Sequence, residues 1–154
     1  MKITSIKPFL ISVKAGGAYL AHRPYLFVKV ETDEGVHGVG ESGVVFAEWA
    51  VEGAIRHLES LLIGQDPFRT EFIWRQMHRR PCFPAGLIYG AAISAIDIAL
   101  WDIKGKALNQ PVYNLLGGRT RDKVICYPHT AGNSLEELLD SCRQAVKDGW
   151  KFVR

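Results

Sequence analysis

Apolar and polar residues alternate from Lys2 to Val13 in the manner of a strand, and "YLFVKVETDEGVHGVGES" continues as two further β runs joined at Asp33-Glu34-Gly35. The three runs predict an antiparallel meander. Between the first two lies "KAGGAYLAHRP", longer than a hairpin requires and therefore a candidate functional loop. The period changes at Phe46, after which Trp49, Ile55, Leu58, Leu61 and Leu62 recur at helical spacing until Gly64 closes the run. "DPFRTEFIWRQMHRR" opens with Asp66 as a cap and Pro67 at the first helical position. After the break at Pro81 and Pro84, a long helix rich in alanine and isoleucine is expected from about Gly86 to about Leu108, apolar around much of its circumference and so central to the fold.

A different architecture follows "LLGGRTRD". "KVICY" and "WKFV" are continuous apolar runs of the kind buried on both faces, and they flank the amphipathic "GNSLEELLDSCRQAVKDG". Ser134 and Glu137 have capping-box spacing at the start of that helix. The pattern predicts a βαβ unit with parallel strands and a right-handed crossover. Two parallel strands and one helix cannot cover both faces of their own sheet, so the unit is expected to be the beginning of something larger. The architectures meet near Gly117-Gly118, giving expected domains of residues 1–117 and 118–154.

Composition narrows the function classes. At 154 residues, 47% hydrophobic and 23% charged, the chain can bury a core of useful size. The net charge of +3 is spread without a basic block, which argues against a nucleic-acid partner, and no apolar run approaches a membrane span. Cys82, Cys126 and Cys142 lack CxxC spacing and read as reduced thiols of a cytoplasmic protein.

The segment "AAISAIDIALWDIKGKALNQPVYNLLGGR", residues 91–119, carries specific information. Its Ala92, Ser94, Ala95, Ile96, Asp97, Ala99, Leu100, Asp102, Ile103, Gly105, Lys106, Pro111, Val112, Leu115, Leu116 and Gly117 resemble the signature of the mandelate racemase and muconate lactonizing branch of the enolase superfamily. The resemblance implies an α+β capping domain, a three-stranded antiparallel meander plus helices, followed by the first βαβ of a (β/α)8 barrel that is incomplete in this chain. Within the superfamily, "VETDEGVHGVGES", "YPHTAGN" and "GWKFVR" are most similar to the mannonate dehydratase subgroup of sugar-acid dehydratases. Pro24 departs from that subgroup, standing where it has a substrate-contacting asparagine, which leaves the sugar acid open.

The implied reaction removes a proton α to a carboxylate, giving an enediolate stabilised by Mg²⁺. By the same resemblance Arg154 is a catalytic residue near the end of the second barrel strand. The resemblance also implies that His129, just after the first strand, and Tyr19, His22 and Arg23, in a lid-like cap loop, contact the substrate. Phe46 and Trp49 are candidates for a second wall, although core packing explains Trp49 equally well. The metal ligands belong to later strands, so the 154 residues by themselves are expected to be inactive. The working protein is expected to be a homo-oligomer acting on a small-molecule sugar acid, with no nucleic-acid or membrane partner.

Other candidates have plainer readings. Asp97 and Asp102 lie about 140° apart around a helix and cannot share a metal from it; both suit salt bridging, Asp102 with Lys106. His37, His57 and His78 have no ligand spacing. The alternatives to a dehydratase are a racemase or cycloisomerase of the same superfamily, or a non-catalytic cap-like module that associates through open strand edges.

Overall fold

The computed structural model describes residues 1–12, 24–79 and 86–154. Tyr19, His22 and Arg23 of the expected lid loop, and Pro81, Cys82 and Pro84, lie outside the described residues. The chain divides into two compact units, Met1–Gly118 and Arg119–Arg154.

In the first unit, β1 (Ile3–Ser12), β2 (Pro24–Thr32) and β3 (His37–Ser42) form an antiparallel sheet in the order β1-β2-β3. Ile6 faces Val30 and Leu10 faces Leu26 across β1 and β2, while Val28 faces Gly40 across β2 and β3. The two-residue period turns Leu26, Val28, Val30 and Thr32 to one face, where all four are buried. Helices α1 (Glu48–Leu62), α2 (Thr70–Arg79), α3 (Leu87–Ala107) and the short α4 (Val112–Leu115) follow. α1 and α3 cover the buried face of the sheet, and α2 packs on α3. This is the α+β arrangement that the patterning predicts.

The central place of α3 has a visible cause in β3. A Cβ built on Gly38 would lie 1.9 Å from the Ala99 carbonyl oxygen, and one built on Gly40 would lie 1.9 Å from that of Ala95. The strand therefore rests directly on the helix backbone, alanine below and glycine above, and a side chain larger than hydrogen at either position cannot be accommodated. Ile96, Leu100 and Ile103 of α3 then mesh fully buried with Ile55, Leu58 and Leu62 of α1 and with Ile73 and Met77 of α2. At roughly 1.5–3 kcal/mol per fully buried side chain, this cluster is the main source of stability.

Part of each edge of the sheet is occupied. Along β1, Ile3 exchanges backbone hydrogen bonds with Gln65 and Gly64 at 2.9 and 2.8 Å, and the Ile6 N–H donates to Glu59 Oε1 at 3.2 Å. Along β3, the Val39 N–H donates to Asp102 Oδ2 at 2.9 Å, and Lys106 Nζ donates to the His37 carbonyl at 2.9 Å. Asp102 and Lys106 also pair with each other at 2.7 Å. The i,i+4 pair read from the sequence thus has a second task, closing an edge that could otherwise recruit a strand.

Three details differ from the sequence reading. Trp49, counted with the buried stripe of α1, is 75% exposed, and Val51 takes the inward position. α2 begins at Thr70, because Asp66 closes a separate turn in which its Oδ1 accepts the Phe68 N–H at 2.9 Å and its carbonyl accepts the Arg69 N–H. Asp97 makes no ion pair among the described residues. Its carboxyl is pushed above the usual range by burial first and then by Glu71, with Lys104 opposing. Among the described residues no helix is long and apolar enough to cross a membrane.

Candidate functional site

The second unit is organised around α5 (Leu135–Lys147), which is fixed at both ends. Ser134 Oγ accepts the Glu137 N–H at 3.2 Å, as the capping-box spacing predicts. The returning carboxylate reaches one residue further than expected, where Glu137 Oε2 accepts the Asn133 N–H at 2.7 Å. At the other end Gly149, with φ +87, donates to the Val146 carbonyl while Trp150 donates to that of Ala145. Those two bonds are the Schellman pattern, which needs a left-handed residue and reverses the chain.

The reversal carries residues 150–154 back to the segment that precedes the helix. The Arg154 N–H donates to the Pro128 carbonyl at 3.1 Å, and the Thr130 N–H donates to the Arg154 carbonyl at 2.6 Å. Two such bonds straddling one residue are the repeat of a parallel ladder, and they set His129 directly opposite Arg154. Opposed residues of neighbouring strands lie about 4.8 Å apart and send their side chains to the same face. Tyr127, two residues before His129, shares that face, its ring centroid 6.0 Å from the imidazole. Gly132 lets the following turn lie on the first turn of α5, since a Cβ there would stand 2.3 Å from the Leu138 nitrogen.

The expected parallel pairing is therefore present at residues 128–130 and 154, but it does not extend back along both apolar runs. Residues 123–127 and 150–153 do not form strands. Their apolar side chains face solvent, Val124 at 73% and Phe152 at 56% exposure. A two-segment parallel sheet has no further strand or second helix to exclude water from its faces, and isolated parallel pairs are weak. The pairing survives where Thr130 adds a side-chain bond, its Oγ1 donating to the Arg154 carbonyl at 3.0 Å.

His129 and Arg154 are thus brought together, both accessible to solvent. Phe46 and Trp49 belong to the first unit and are largely exposed. Phe46 has φ +64, a conformation that costs a bulky residue of order 1 kcal/mol, and its N–H is held by Glu48 Oε1 at 3.1 Å. Among the described residues no cluster of three or more His, Cys, Asp or Glu side chains could hold a metal ion. Asp102, a carboxylate of the signature segment, is engaged by Lys106 and the Val39 N–H. Sequence reading passed over Thr130; a hydroxyl directly after the candidate histidine was its available signal.

Residues 2–117 match the family model of the mandelate racemase / muconate lactonizing enzyme N-terminal domain. Over 154 residues the chain is 39% identical to the D-galactonate dehydratase of Verminephrobacter eiseniae, matching all of itself and 38% of that protein. It is 42% identical to a D-galactonate dehydratase family member of Oceanicola granulosus, covering 36% of it. The crystal structure of an enolase from Pantoea ananatis with bound D-gluconate and Mg superposes on 99% of this chain with a TM-score of 0.88 at 38% identity, using 36% of its own length. An enolase-superfamily member from Salmonella Typhimurium gives 0.87 at 32% identity, covering 99% of this chain and 41% of its own. The chain spans less than two-fifths of the length of the curated relatives. The likeness to the mannonate subgroup holds approximately, since these relatives are named for D-galactonate. The chain belongs to the mandelate racemase / muconate lactonizing enzyme family of the enolase superfamily and carries its N-terminal capping domain.

Proposed function

We propose that these residues form the N-terminal part of a sugar-acid dehydratase, with residues 1–117 as its cap and 118–154 as the opening of its (β/α)8 barrel. The observation that carries this reading is the parallel pairing that sets His129 opposite Arg154 across the segment containing α5. In parallel barrels the C-terminal ends of strands are where chemistry is placed. The support from relatives is that the whole chain aligns with proteins named D-galactonate dehydratase.

The reaction loses the proton α to the carboxylate and the β-hydroxyl, which departs as water; the resulting enol ketonises to a 2-keto-3-deoxy acid. Arg154 offers a planar, permanently charged fork that can orient the carboxylate or assist proton transfer. His129 on the same face can donate to or accept from a substrate hydroxyl. By the family resemblance, Tyr19, His22 and Arg23 are further candidates for substrate contact.

Mg²⁺ belongs to this reading through the superfamily and the Pantoea ananatis structure. The described residues do not fit it, because they present no cluster of carboxylates or histidines for a hard cation.

The test is turnover by the whole protein of a panel of D-galactonate, D-gluconate and D-mannonate. Arg154→Ala is expected to lower kcat by about 100-fold or more, the scale of losing a positioned charged group. His129→Ala is expected mainly to raise KM. Wild-type turnover in both variants contradicts the reading. Racemisation without loss of water would move the protein to the racemase branch.

A further inference from the structure

Thr130 is bound to Arg154 twice, and the two bonds make different demands on the sequence. The N–H donation to the Arg154 carbonyl at 2.6 Å is a ladder bond that any residue except proline could make. The Oγ1 donation to the same oxygen at 3.0 Å requires a hydroxyl. A hydroxyl has one proton to give and lone pairs left over, and Oγ1 receives the Cys142 Sγ–H from α5 at 3.6 Å. A polar chain therefore runs from the helix through Thr130 to the backbone of Arg154. Thr130 and Cys142 are both half-buried, while His129 and Arg154 stand exposed beside them.

We infer that Thr130 is a positioning residue, whose hydroxyl pins the Arg154 backbone so that the guanidinium stays opposite His129. This rests on the reading of Arg154 as a site residue. Arginine has a long, flexible side chain, so its working position depends on how firmly its Cα is anchored. Beside the two Thr130 bonds, the Arg154 backbone is held among the described residues by its N–H donation to the Pro128 carbonyl at 3.1 Å, a ladder bond that does not depend on side-chain identity. A displacement of about 1 Å in a catalytic group can cost up to 100-fold in rate.

The experiment compares Thr130→Val, Thr130→Ser and Arg154→Ala in the whole protein, with kcat and KM measured on the sugar acid the wild type turns over fastest, well below each variant's Tm. Valine keeps the shape and the ladder N–H but removes Oγ1; serine restores the hydroxyl. The expected result is that Thr130→Val loses about ten-fold in kcat with KM within about two-fold, and that Thr130→Ser recovers most of the loss. A merely structural role would lower Tm without this split and without rescue by serine.

If Arg154→Ala loses activity while Thr130→Val stays within about two-fold of wild type, the inference is overturned and the reading of the site stands. Equal losses in the serine and valine variants also overturn it. Wild-type activity in Arg154→Ala, or no turnover of any acid by the wild type, overturns the site reading and the inference with it. Should Thr130→Val not fold, Thr130→Ala replaces it; failure of both overturns the proposal, because the hydroxyl would then serve the fold.

Discussion

Replacing Gly40 by alanine probes the contact on which the cap is built. The new methyl would sit 1.9 Å from the Ala95 carbonyl oxygen and 3.1 Å from the Ala99 nitrogen, where ordinary contact begins at about 3.4 Å. The obstacle is helix backbone, so no rotamer change can relieve it. Either β3 or α3 must withdraw by about 1.5 Å, which loosens Ile96, Leu100 and Ile103 from a cluster in which each is fully buried. Overpacking of this kind typically costs about 1–3 kcal/mol and sometimes more. The intrinsic gain from replacing a strand glycine, about 0.5–1 kcal/mol, is too small to offset it. We expect Gly40→Ala to destabilise by at least about 2 kcal/mol, a large part of a typical 5–15 kcal/mol. Urea unfolding followed by far-UV circular dichroism would show a midpoint lower by about 1 M for an m-value near 2 kcal/mol/M. Gly53→Ala is the matched control. Gly53 is exposed in the interior of α1, nothing lies within 4 Å of its Cβ position, and the variant should gain about 0.5–1 kcal/mol. Equal midpoints for the two variants would refute the close approach of β3 to α3.

Three further outcomes are expected. Lys7 above all, then Ser5 and Lys29, hold the Glu31 carboxyl down to about 2 from an ordinary 4.5. Its stabilising contribution is complete above about 4.5 and lost as pH falls through about 2, so Glu31→Gln should flatten the loss of stability measured by urea titrations across that window. Asp97 has the opposite sign: burial and Glu71 raise its pKa, so it costs nothing below the ordinary 3.8 and weakens the fold as pH rises through the raised value. Asp97→Asn should therefore raise Tm at pH 7 and leave it unchanged at pH 3. Ser134→Ala removes the cap of α5 and should cost about 1 kcal/mol, read as faster amide exchange at Glu137 and its neighbours.

What could be read from the sequence follows the range of the forces involved. The meander, the long α3 and the cap of α5 depend on near neighbours and on period, and Ile3, Val28, Ser134 and Gly149 stand where such rules place them. The exposure of Trp49 was not legible, because helical period identifies a stripe but not which flank of it meets the sheet. The second task of Asp102 was hidden for a related reason: Val39, whose N–H it accepts, is 63 positions away. For the candidate site, the pairing of His129 with Arg154 was foreshadowed by the strand-helix-strand pattern, but the bond that reinforces it comes from Thr130, whose side chain looks ordinary in sequence. The apolar runs that were expected to be buried strands are exposed, since burial is a property of neighbours that these residues do not supply.

The most direct measurement is to incubate the whole protein with D-galactonate, D-gluconate and D-mannonate, with and without magnesium, and to identify the product by NMR. A 2-keto-3-deoxy acid is expected from at least one of the three, abolished by chelation of the metal and absent with the 154-residue chain. Recovery of all three acids unchanged and unepimerised, from folded whole protein supplied with magnesium, would contradict this expectation.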